Sequence, residues 1–184
     1  MERLFNRAYL AENMLLMYGM IIASVPLLKF AMVKCYGDLR EYYKKHIIEE
    51  TGHEKMLRDD LAAFGITDIF PSYQAAKIAG SQYYLIAHEN PAALLGYMLA
   101  LEANALNEDQ VKMIERAHGT KLTCMRHHAQ HDLRHSEDIK KQILGLPEKL
   151  RQLALWNHES TMIELHFQME YIWDCTKTKE RLNG

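Results

Sequence analysis

The sequence predicts an all-α fold: a single domain over residues 1–184, built as a compact bundle of about seven helices. Three observations carry that expectation. No window of four to eight residues alternates apolar and polar side chains as a half-buried strand would; apolar residues recur at spacings of three and four; and capping residues, glycines and prolines punctuate the chain at helix-length intervals. At this length roughly 70 % of the unfolded surface can be buried, enough for a core without disulfides.

The first helical region is expected from Glu2 to Lys34, bent near Pro26, because proline cannot donate to the preceding turn. Gly37-Asp38 punctuates the chain, and a second helix runs to Phe64, with Gly65 as its C-terminal cap. Pro71 opens a third helix reaching His88. Asn90-Pro91, a capping residue followed by proline at the first helical position, starts a fourth that continues to Ala105. Asn107 caps a fifth, Gly119-Thr120 breaks it, and a sixth extends from Lys121 to Leu144. Pro147 starts the last, which is expected to end near the polar tail Lys177–Gly184.

Composition excludes several classes. Lys and Arg number 22 against 24 acidic residues, and a net charge of −2 offers no general attraction to nucleic acid or an acidic membrane surface. Cys35, Cys124 and Cys175 are odd in number and form no Cys-x-x-Cys pair, which argues against a disulfide framework or a zinc ribbon and fits a cytoplasmic location. Met14–Val33 is almost wholly apolar and long enough to span a bilayer. Pro26 and Lys29 fall inside it, and Glu2, Arg3, Arg7 and Glu12 before it carry both signs, so a buried core helix is the expectation.

Metal chemistry is suggested by three segments. In Glu50-Thr51-Gly52-His53 a carboxylate and an imidazole three apart would share one helix face, a weak signal taken alone. In the sixth region His128, Asp132 and His135 stand at i, i+4 and i+7, within about 60° of arc at 100° per residue. Arg126, His127, Arg134 and Glu137 point away from that stripe, and His131 borders it. Glu102 is the sole charge between Ala92 and Ala105; a carboxylate in so apolar a helix pairs, protonates or binds a metal unless the helix end is exposed. Three carboxylates and three imidazoles make a donor set for two irons, or for manganese in their place, while zinc wants fewer ligands.

These segments resemble the haem-oxygenase-like diiron oxidases, a superfamily of seven-helix proteins sharing a fold with haem oxygenase and the thiaminase-like proteins. The match lies in Glu49–His53, in Pro91–Glu102 with Leu95-Gly96-Tyr97-Met98 before the glutamate, and most specifically in His128, Asp132 and His135. The resemblance implies that Glu50 bridges two irons, that His53 and His128 complete one and that Glu102, Asp132 and His135 complete the other. It further implies reductive activation of dioxygen against a small acid, amine or amino acid, an external electron donor and a homodimer. Met14, Met17, Tyr18, Ile21, Tyr97 and Met98 are candidate pocket walls, though such side chains more often fill core.

Other readings compete. A ferritin-like bundle would recruit Glu12 beside Glu50, His53, Glu102, Asp132 and His135, but leaves His128 unexplained. A metal-free, thiaminase-like hydrolase would use a cysteine nucleophile, with Cys124 the nearest candidate. A non-catalytic metal-binding partner protein predicts the same ligands with unreactive metal. A haem reading fails for want of an axial histidine before His46.

Overall fold

A computed structural model describes residues 1–70 and 72–183, and among them every regular element is helical. The chain begins with a 3₁₀ turn, Glu2–Phe5, and then α1, Arg7–Lys34. Asn6 separates them by accepting a hydrogen bond from the Tyr9 amide, so the first region is two elements rather than one. Pro26 sits inside α1. It removes the amide that would bond the Ile22 carbonyl, and both residues are exposed, so no buried group is left unpaired.

The second expected helix is also two. α2 covers Gly37–Glu50 and α3 covers His53–Ala63, with Gly52 between them at φ +101°, in the left-handed region that only glycine enters freely. α4, Tyr73–His88, is capped by Ser72, whose hydroxyl accepts from the Ala75 amide; Pro71, expected to open this helix, lies outside the described residues. Asn90 caps a 3₁₀ turn at Pro91–Ala93 that leads into α5, Leu94–Glu102. α5 therefore stops on Glu102, three residues before the expected Ala105. α6, Glu108–His118, carries a reciprocal capping box between Asn107 and Gln110. α7 runs Thr123–Gly145 and α8 runs Glu148–Asn183. The last helix thus continues through most of the polar tail expected to end it, since its last turns are anchored by Lys179 on Glu12 and by the buried Thr176.

α1 is long and apolar enough to cross a membrane by length and composition. Here it lies against α2, α3, α4 and α8 as a core helix. Its C-terminal half joins Tyr43, Leu94, Leu95 and Ile139 in the larger apolar cluster. Leu10, Met14 and Tyr18 of its N-terminal half join Leu57, Leu61, Ile114 and Leu122 in a smaller one. The α2–α3 break falls where the chain passes from the first cluster to the second.

Three contacts fix α5. A Cβ on Gly96 would overlap the Ala154 carbonyl oxygen and the His158 amide, so only glycine lets α5 approach the α8 backbone this closely. Asn157, buried on α8, donates to the Gln82 side chain at 2.7 Å and to the Ala93 carbonyl at 2.7 Å. The Tyr43 hydroxyl donates to the Pro91 carbonyl at 2.8 Å, tying α2 to the start of the same segment. Glu102 is therefore delivered to its place by a rigid, well-packed element.

Candidate metal centre

Glu50 is the last residue of α2 and His53 the first of α3, so they do not share one helix face as their spacing implied. The Gly52 turn swings His53 back instead, and its Nδ1 lies 3.4 Å from Glu50 Oε2. Ser24 on α1 donates to the same oxygen at 3.2 Å. α5 brings in Glu102, and α7 brings in His128, Asp132 and His135. His135 Nδ1 lies 3.7 Å from Glu102 Oε2, and His128 Nδ1 lies 2.9 Å from Asp132 Oδ1. The His53 and His128 rings meet edge to face, 4.9 Å between centroids. All six residues drawn from the sequence stand together, and all but His128 are buried.

A seventh residue joins them. His46, on α2 and almost wholly buried, has Nε2 at 3.6 Å from Glu50 Oε1 and 3.7 Å from Glu102 Oε1. Its Nδ1 faces Glu49 at 3.3 Å, the arrangement in which a carboxylate orients an imidazole and leaves the other nitrogen free for a metal. The i, i+4 spacing of His46 and Glu50 was a usable signal. The run Lys44-Lys45-His46 disguised it as a solvated face.

Donor atoms of His46, Glu50 and Glu102 lie within 4.8 Å of one another, and so do those of Glu102, Asp132 and His135. First-row metals bonded at ~2.1 Å put adjacent donors ~3 Å apart and opposite donors ~4.2 Å apart, so small inward movements would close both groups on an ion. Among the described residues, the buried side-chain atoms without a hydrogen-bond partner are His53 Nδ1, Glu102 Oε2, His128 Nε2 and the Tyr97 hydroxyl. Buried polar atoms are ordinarily satisfied. Three of these four belong to the centre, which fits a donor set built for cations.

Electrostatics agree. Burial would raise the Glu102 carboxyl, but His135 and His46 outweigh it and hold the group down at about 2. Burial likewise opposes Glu50, yet His53, with help from His46, pulls it below its usual range. Burial would lower His128, but its bond to Asp132 lifts it well above the ordinary imidazole value. Burial then pushes the Tyr97 hydroxyl up, with a further contribution from the Glu50 charge.

Two expectations are corrected, for His127 and Arg134, and the alternative candidates near the centre find other places. Glu12 pairs with Lys179 at 2.9 Å, on an exposed part of α1, and takes no part in the centre. His127 does not point away: its ring is 4.7 Å from that of His53, because α3 packs on the N-terminal part of α7. Arg134 reaches back as well, to 3.3 Å from His135 Nε2. Cys124 is fully buried, with its thiol 3.9 Å from the His53 carbonyl, and has no surface through which to attack a substrate. Met14, Tyr18, Tyr97 and Met98 are core, and Tyr18 accepts from Arg58 at 2.7 Å. A groove of about 510 Å³ lies elsewhere, between Leu15, Phe70, Tyr73, Tyr171 and Cys175.

A family model described as iron-containing redox enzyme matches residues 15–157, most of the chain and every residue of the centre. The chain belongs to this family. Carboxylate and imidazole donors suit iron, so the donor set found here agrees with an iron-containing oxidoreductase. A crystal structure of a domain of unknown function with a haem oxygenase-like fold, from Shewanella denitrificans OS217, superposes with a TM-score of 0.78. It is 16 % identical, and the superposition covers 97 % of this chain and 85 % of that one. The likeness establishes the haem-oxygenase-like fold for this family member and removes the ferritin-like bundle. No curated protein matches the chain.

Proposed function

We propose that this iron-containing redox enzyme holds two irons between α2, α3, α5 and α7 and uses dioxygen to oxidise or cleave a small acid, amine or amino acid. The observation that carries the reading is the convergence of seven buried or half-buried donors, three of whose atoms have no other partner. Glu50, His53 and His128 would hold one metal and Glu102, Asp132 and His135 the other. His46 stands between Glu50 and Glu102 and is placed to serve either. When bound, two ferrous ions would supply the electrons that reduce dioxygen.

The protein's own side chains do the rest. Ser24 fixes one oxygen of Glu50, and Glu49 fixes the ring of His46. The apolar residues of α5 before Glu102 keep bulk water from the carboxylates. The Tyr97 hydroxyl is buried and has no hydrogen-bond partner among the described residues, and the Glu50 charge adds to the effect of burial on it.

The test is to load the chain anaerobically with ferrous iron, count metal per chain, and follow iron oxidation and dioxygen consumption on mixing with oxygen. Two irons per chain that oxidise far faster than free ferrous iron support the oxidase. Tightly held iron inert to oxygen would leave a metal-binding partner protein. One metal or none would remove the paired centre.

A further inference from the structure

We infer that His127 and His131 form an outer cation site that receives a divalent metal ion and passes it to the centre. The inference rests on the reading of His53 as a metal ligand. The two residues stand at i and i+4 on α7, with ring centroids 4.5 Å apart. Two imidazoles bonded to one first-row metal at ~2.1 Å have centroids separated by ~4.5 to 5 Å, so the pair is already near that spacing. Both rings are partly exposed. Among the described residues neither has a hydrogen bond or an ion pair, in contrast to His118, which bonds the Leu4 carbonyl, and His46, which is oriented by Glu49.

Their position gives the pair a role. The His127 ring is 4.7 Å from His53 and 6.1 Å from His128, and His53 in turn faces Glu50. Imidazoles therefore run without interruption from solvent at His131, through His127, to a buried ligand. The nearby Arg126 is paired with Glu115, which turns its charge away from an incoming cation. An entry site serves the centre because every donor except the half-buried His128 is buried. Neutral imidazole nitrogens suit ferrous iron and can take the place of its waters.

The experiment compares the full-length chain with the His127→Gln/His131→Gln double variant, both stripped of metal. Each is mixed anaerobically with a limiting amount of ferrous iron, and the iron that becomes resistant to a fast chelator is followed in time. The final iron per chain should be unchanged and the rate of protection should fall at least fivefold, with His131→Gln alone, which leaves the His53–His127 contact in place, slowed by threefold or more. Slowing of less than threefold in the double variant overturns the proposal. A lowered final iron count overturns it too, since the pair would then belong to the centre itself. If the unaltered chain protects no iron, the metal-centre reading fails first and the entry site falls with it.

Discussion

His46 and Glu102 show how single residues decide this site. A buried carboxylate without a partner is costly, and Glu102 keeps one oxygen unbonded while His46 and His135 approach its two sides. Replacing His128 or His135 by alanine should lower the metal content sharply, and retention of two metals per chain by both variants would defeat their assignment. Glu49→Gln is the finer probe. It leaves every proposed ligand in place but weakens the orientation of His46, and a loss of about 10-fold in metal affinity is expected in an equilibrium titration with ferrous iron. An unchanged affinity would mean that His46 is held by packing and is not tuned through Glu49. The residue pattern was legible for His128, Asp132 and His135, because one regular helix carries all three. For His46 the spacing to Glu50 was only a weak sign, because its burial depends on α5 and α7 arriving from far along the chain.

At the scale of elements, the two glycines Gly52 and Gly96 set the geometry. Spacing put Glu50 and His53 on one face for the wrong reason; the chain reaches the same proximity through a turn that needs a positive φ at Gly52. Gly52→Ala should destabilise the fold by about 1–2 kcal/mol in urea denaturation, the cost of forcing a Cβ into the left-handed region. Gly96→Ala should cost more, about 2–3 kcal/mol, because the added methyl meets the α8 backbone and that contact cannot yield by a rotamer change. Equal stability of Gly96→Ala and the parent would show that α5 does not pack on α8 this closely. The start of α7 teaches a related lesson. Leu122 offers no side-chain cap; the carboxylate of Asp60, on α3, accepts from the Thr123 and Cys124 amides at 2.8 Å each. Local sequence located that helix start within two residues, but a cap contributed from 63 residues away cannot be read from neighbours.

Across the whole molecule, the donors belong to four helices and come from segments that run from position 46 to position 135. Binding a metal therefore closes long loops at one point, and only the folded chain presents the donors together. Without metal, the same point concentrates three carboxylates and four imidazoles, some of their atoms unsatisfied, at the passage between the two apolar clusters. The metal-free chain should thus be the less stable form. Ligand linkage gives about 4 kcal/mol at a thousandfold excess over Kd, and a chain of this size shifts by about 2–4 °C for each kcal/mol, so ferrous iron under argon should raise Tm by roughly 10 °C. Differential scanning calorimetry of the stripped and loaded protein reads that shift, and a Glu102→Ala variant supplies the control. The variant removes a carboxylate from the crowded centre, so it should melt no lower than the stripped parent by more than its lost packing, yet gain little from iron. A parent that melts at one temperature with and without iron would mean that the seven donors are a self-contained hydrogen-bond and ion-pair network, and that the metal chemistry of the family has been lost from this chain.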